Sequence, residues 1–150
     1  MQQILIDYGL PAMFLLGFLA ATLLPLGSEW LLVALLLKGG DPFATVLVAT
    51  AGNSLGALTN YAIGLWGGPY LFRKLLRIGP AELERAQKVY SRYGSWSLLL
   101  AWLPIIGDPL CLAGGMLRVG WVHFLVLVTT GKLCRYGFVA WAALAMGPLP

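Results

Sequence analysis

The sequence predicts an all-α integral membrane protein. It reads as two inverted repeats, each a re-entrant helical hairpin plus one transmembrane helix, joined by a basic amphipathic cytoplasmic segment. Three observations carry this. The chain of 150 residues is 59% hydrophobic and only 11% charged, with mean hydropathy +0.82, against about 25% charged in a soluble domain. Its long apolar runs are broken twice by a proline with an acid four positions later, Pro25 with Glu29 and Pro104 with Asp108. Shifting the first half by 79 positions superposes those breaks: Pro25 meets Pro104, Glu29 meets Asp108, Thr50-x-Gly52 meets Thr129-x-Gly131, and Gly68-Pro69 meets Gly147-Pro148. Matching apolar residues would mean little in such a chain; matching breakers and acids at one offset is more specific.

The length fits a single membrane domain over 1–150, with repeat one at about 11–69, the linker at about 70–93 and repeat two at about 94–148. Residues 1–20 have no basic leader region, carry Asp7 ahead of the apolar stretch and lack an A-x-A-like cleavage site, so the first apolar segment is expected to be retained. Residues 10–37 divide at Pro25, Gly27, Ser28 and Glu29 into arms of about 13 and 9 residues. Either arm is too short to span, since a crossing needs about 20 residues. A hairpin with PLGSE at its tip is expected, and Lys38-Gly39-Gly40-Asp41-Pro42 is a turn.

Residues 43–68 form the first spanning segment. Gly52-x-x-x-Gly56 gives it a small-residue face that lets a second backbone approach, either within the chain or between two copies in a homodimer. Asn53, Ser54 and Asn60 are its polar positions, and Trp66 and Tyr70 stand where an aromatic belt is expected. Residues 70–93 hold six basic residues (Arg73, Lys74, Arg77, Arg85, Lys88, Arg92) against Glu82 and Glu84, a surplus equal to the net charge of the whole chain, +4. That surplus places the segment in the cytoplasm, where two amphipathic helices are expected on the membrane face, Tyr90 and Tyr93 anchoring the second. In so apolar a chain, topology explains the basic run better than nucleic-acid binding does. Residues 95–117 repeat the hairpin pattern around Pro104, Gly107, Asp108 and Pro109, and residues 121–147 form the second spanning segment. One net crossing per repeat requires the second copy to be inverted, with both termini outside. Four full crossings would instead leave both termini inside and Arg118 outside.

A carboxylate in hydrocarbon is costly and is a functional-site candidate. Glu29 and Asp108, carried to the midplane by the two tips, are expected to bind a proton or cation. Lys132 and Arg135, at i,i+3 on the last helix, are expected to hold a phosphate, Arg135 by paired hydrogen bonds. Asn53 matches Lys132 under the shift and is expected to line the same cavity with Ser28, Tyr61 and Tyr136. The alternative is two ion pairs that only clamp the repeats together. No catalytic constellation is present: His123, the single histidine, sits at a helix start, and Gly131-Lys132 lacks the other parts of a phosphate loop. Cys111 and Cys134 read as small hydrophobes, and no metal or cofactor is expected.

The segments LPLGSEWLL (24–32), GNSLGALTNYAIG (52–64), WLPIIGDPLCLAGG (102–115) and GKLCRY (131–136) resemble the DedA family of the SNARE-associated Golgi protein (VTT domain) superfamily, and within it the short YqaA-like branch. The resemblance covers nearly the whole chain. It implies a bacterial inner-membrane protein with two opposed re-entrant hairpins and a role in moving lipids across the bilayer; the family is associated with polyprenyl-phosphate recycling and dependence on proton motive force. The family's membrane-embedded acid maps to Glu29. The main branch carries arginines where this chain has Ala101, Gly107 and Leu65, so Asp108, Lys132 and Arg135 stand as the substitute polar set. The expectation is a flippase- or scramblase-like transporter of a phosphate-bearing lipid, proton- or cation-coupled or passive, with anionic membrane lipids as partners and no nucleic acid. A non-transporting assembly or envelope-homeostasis factor, and a small-ion or small-solute transporter, are the alternatives.

Overall fold

The computed structural model describes residues 2–22, 28–67, 79–103 and 106–147, with side chains from residue 7 onward in the first stretch. The described residues are helical throughout, joined by short turns. In chain order they form α1 (Gln2–Thr22), α2 (Glu29–Leu37), α3 (Pro42–Trp66), α4 (Pro80–Tyr93), a 3₁₀ helix (Gly94–Trp102), α5 (Gly107–Met116) and α6 (Trp121–Ala145). Pro25, Gly27, Pro104 and the basic residues 73, 74 and 77 lie outside the described residues.

Local chemistry sets the helix ends. Asp41 caps α3 by accepting from the Phe43 amide at 3.1 Å, and Pro42 follows at the first helical position, where its missing N–H costs nothing. Gly79 opens α4 by donating its amide to the Glu82 carboxylate. Gly39, at φ +87°, closes α2, with its amide on Leu36 O and the Gly40 amide on Leu35 O at 2.9 Å. Arg118 does the same for α5 at φ 54°, with its amide on Gly115 O and the Val119 amide on Gly114 O. Both ends have the Schellman pattern, which normally places glycine at the left-handed position.

Glycine faces then set how the helices meet. A Cβ at Gly52 would strike the Phe14 carbonyl, and one at Gly56 the Phe18 carbonyl at 2.7 Å, so the small-residue face of α3 packs against α1 within the chain. Gly64 and Gly115 bring α3 and α5 together backbone to backbone, each against a carbonyl of the other helix. A Cβ at Gly131 of α6 would lie 2.5 Å from the Leu99 carbonyl oxygen of the 3₁₀ helix, so these two backbones also pack closely. Thus α1 and α5 flank α3, while α2 and the 3₁₀ helix flank α6.

Two of the four buried clusters among the described residues make up most of the interior. One core joins Met13, Leu32, Leu35, Leu36, Ala49, Tyr136, Ala140 and Ala143; the other joins Ala57, Tyr61, Leu98, Ala101, Cys111, Phe124, Leu127 and Val128. Between them α3 and α6 cross through polar side chains: Asn53, Ser54, Thr129 and Lys132.

Four sequence expectations change. The first arm is not about 13 residues but the 21 of α1, with Pro11 inside it, because the apolar sequence continues upstream of Asp7. The first arm of the second hairpin is a nine-residue 3₁₀ helix rather than an α-helix, opened by Gly94 at φ +65°. The apolar stripe of α4 does not face outward: Ala86 is buried against Leu110 and Ala113 of α5, with Leu83 and Val89 beside it. The first of the two expected amphipathic helices falls on residues outside the described set. Finally, among the described residues no helix is long and apolar enough to cross a membrane. α3 and α6, at 25 residues each, have the length, roughly 37 Å at 1.5 Å per residue. Asn53, Asn60, His123, Lys132 and Arg135 dilute their apolarity.

Candidate functional site

The polar residues meet where α2 ends against the middle of α6. Glu29 is the first residue of α2, where the helix dipole favours its charge. Its carboxylate forms an ion pair with the Arg135 guanidinium, both side chains about a quarter exposed (23% and 27%). Arg135 also donates from Nη1 to the Trp102 carbonyl, the last residue of the 3₁₀ helix. One guanidinium therefore ties the start of α2 to the end of the 3₁₀ helix. The planar fork of arginine suits this, since it directs several donors at fixed angles.

One turn away, Lys132 is 3% exposed. Its ammonium donates to the Asn53 side-chain oxygen and, at 3.3 Å, to the Asn53 backbone carbonyl. The Asn53 amide nitrogen in turn donates to the Gly17 carbonyl of α1 at 3.0 Å. Ser28 and Tyr136 share a buried hydroxyl–hydroxyl hydrogen bond of 2.6 Å, and Tyr136 also meets the Asn53 side chain. So Ser28, Tyr136, Asn53 and Lys132 form one hydrogen-bonded chain, and the Glu29–Arg135 pair stands next to it, each of its residues adjacent in sequence to a member of that chain.

Asp108 stands apart. It lies within electrostatic reach of Lys132 and Arg135, but among the described residues it forms no ion pair within 4 Å. Gly107 turns the chain so tightly that a Cβ there would strike the Ala101 carbonyl, and Pro109 is buried in the first turn of α5. Tyr61 lies in the second core rather than with the network: its hydroxyl donates to the Val119 carbonyl and its ring packs on Phe124, centroids 4.5 Å apart. Sequence reasoning did not single out Trp102, whose role rests on a backbone oxygen that no side-chain pattern reveals. It also left Asn60 without a role. Asn60 is fully buried and donates to the Ala21 carbonyl at 2.7 Å, and its own side-chain oxygen has no hydrogen-bond partner among the described residues.

Beside the network an apolar groove of about 500 Å³ opens between the 3₁₀ helix and α6, lined by Leu99, Trp102, Thr130, Gly131, Cys134, Arg135 and Phe138. Among the described residues no group of His, Cys, Asp and Glu is placed to hold a metal ion.

The VTT domain model matches residues 6–143. The chain is 44% identical over 130 residues to the inner membrane protein YqaA of Escherichia coli, covering 86% of this chain and 87% of that one. It is 42% identical over 135 residues to an uncharacterized protein of Haemophilus influenzae, covering 83% and 80%, and 25% identical over 134 residues to one of Methanocaldococcus jannaschii, covering 89% and 82%. No solved structure matches the chain. The chain belongs to the VTT domain family, the family its own motifs resemble.

Proposed function

We propose that this chain is a multi-pass inner-membrane transporter of a phosphate-bearing lipid, and that the Glu29–Arg135 pair opens and re-forms as the lipid head passes. The ion pair itself carries the reading. Two charges brought into an apolar protein are seldom favoured over good packing, and this pair joins the first residue of α2 to α6 beside the end of the 3₁₀ helix. An arginine that can release a carboxylate can accept a phosphate in its place with the same paired geometry. Asp108, close to both cations and, among the described residues, paired with neither, is the group to take up a proton.

The inverted-repeat architecture supports this reading. The offset of 79 residues carries α3, from 42 to 66, onto 121 to 145, the bounds of α6, and carries the left-handed position 39 onto 118. It also carries α1 onto α4 plus the 3₁₀ helix. In this reading α4 is the first part of the second hairpin's arm, which explains both its burial against α5 and the length of α1. Asn53 and Lys132 are equivalent positions in contact, so they lie on the pseudo-twofold axis. The equivalent of Arg135 is Gly56, which is why Asp108 has no counterpart to the Glu29 pair. Repeats of this kind, with broken helices meeting at a central site, are the pattern of secondary transporters. The relative named as an inner membrane protein supports an inner-membrane location, and the basic residues 73, 74 and 77, ahead of α4, support a cytoplasmic side for the stretch that leads into it.

One observation favours the second reading, a non-transporting clamp: Lys132 is already satisfied by Asn53, and Asn53 by Gly17. The two readings separate in proteoliposomes carrying a fluorescent phosphate-bearing lipid. A transporter moves the headgroup, and Glu29→Gln abolishes movement in a folded protein. A clamp moves none, and Glu29→Gln lowers the melting temperature.

A further inference from the structure

The groove between the 3₁₀ helix and α6 has no place in the ion-pair network, although Arg135 lines both. We propose that it is a slot for one hydrocarbon chain of an anionic lipid, entered sideways, with the phosphate at Arg135. This rests on the proposed substrate class and assigns the part of the site that would hold its tail.

The wall is built for a chain rather than for a polar ligand. Thr130, Cys134 and Phe138 follow at i, i+4 and i+8 on one ridge of α6, a run of about 12 Å at 1.5 Å per residue. Leu99 and Trp102 face them from the 3₁₀ helix. The floor is Gly131, whose missing side chain lets the Leu99 backbone approach α6 and fixes the groove's depth. The volume, about 500 Å³, is within the range of small-ligand sites, roughly 300–1,000 Å³. Phe138 is 67% and Trp102 39% exposed, so the slot is open along its side.

Charge selects the occupant. Arg135 is the single charged residue of the lining, and it stands beside Trp102, where the arm ends. A neutral chain finds nothing there; a phosphate finds a guanidinium with donors beyond those given to Glu29 and to the Trp102 carbonyl.

Cys134 reports on the slot directly. It is an exposed free thiol on the groove wall, whereas Cys111, the other cysteine, is fully buried. The experiment measures the rate of maleimide addition to Cys134 in the purified full chain in detergent, with the adduct located by peptide mass spectrometry. Three probes are compared: 1-oleoyl lysophosphatidic acid, its neutral counterpart monoolein, and glycerol 3-phosphate, which is the head without the chain. Lysophosphatidic acid is expected to slow addition about tenfold at ten times its half-protecting concentration, as simple occupancy requires. Monoolein and glycerol 3-phosphate are expected to need far higher concentrations, and Arg135→Gln to bring lysophosphatidic acid down to the level of monoolein. Equal protection by monoolein overturns the anionic assignment. Protection by glycerol 3-phosphate alone shows a free-phosphate site and overturns the slot, as does no protection by any probe. The assay has no membrane sides, so its result is independent of transport: protection without lipid movement leaves the slot standing, and lipid movement without protection removes it.

Discussion

Removing the Asn53 side chain should destabilise the protein chiefly by stranding Lys132. Lys132 is 3% exposed, and its ammonium finds Asn53 through one side-chain bond and one backbone bond at 3.3 Å. Asn53→Ala deletes the first of these and also frees the Gly17 carbonyl. A hydrogen bond to a charged group contributes about 1.5–3 kcal/mol and a neutral one about 0.5–1.5 kcal/mol. Losing both gives a destabilisation of about 3 kcal/mol. Replacing Lys132 by Met removes the buried charge and fills its volume, so that change alone costs less. In the double variant no buried ammonium is left in need of a partner, and most of the first loss is recovered. The cycle should therefore show a coupling of about 2 kcal/mol, well above the value of about 0.6 kcal/mol typical of polar contacts between membrane helices. Thermal melting followed by tryptophan fluorescence, with six tryptophans as reporters, measures all four corners. Additive effects would show that Lys132 does not depend on Asn53 and would refute the polar waist as described.

Two further substitutions test the frame around the site. Gly115→Val places a branched side chain against the Tyr61 carbonyl, where no rotamer relieves the contact; a loss of about 3 kcal/mol or more in detergent melting is expected, at the upper end of overpacking. Arg118→Gly should stabilise by about 1 kcal/mol, because Arg118 holds the left-handed position that closes α5 at φ 54°; an unchanged or lowered melting temperature would show that its side chain makes an interaction worth more than the strain.

The sequence made both 25-residue helices and the acids legible, because buried charges leave signals that apolar packing cannot hide; the prolines of the two breaks, Pro25 and Pro104, lie outside the described residues. The offset of 79 residues was visible in Pro25, Pro104, Glu29 and Asp108, and the bounds of α3 and α6 follow the same offset. The balance of charge allowed two ion pairs among Glu29, Asp108, Lys132 and Arg135 without assigning the partners, and of these Glu29 and Arg135 meet. The structure gives Lys132 an asparagine carbonyl in place of an acid. Charge counting cannot see this, because an amide oxygen satisfies an ammonium without appearing in any charge balance. Tyr61 shows the same limit from the other side. Its place in the GNSLGALTNYAIG motif put it near Asn53, but eight residues along a helix is about 12 Å, enough to leave one core layer for the next. The 3₁₀ helix was illegible because GSWSLLLAW has no periodicity to separate it from an α-helix; its form follows from Gly94 and from packing on α6.

The central claim is that the Glu29–Arg135 pair is an exchangeable contact for a phosphate-bearing lipid head. The most direct test is lipid translocation in proteoliposomes by the wild type and by the exchanged pair Glu29→Arg/Arg135→Glu. The exchange preserves an ion pair between α2 and α6 but removes the guanidinium from the groove and from the Trp102 carbonyl. The account predicts a wild type that moves a fluorescent phosphate-bearing lipid and an exchanged variant that melts near the wild-type temperature yet moves none. Equal lipid movement by both, or none by the wild type, would contradict it.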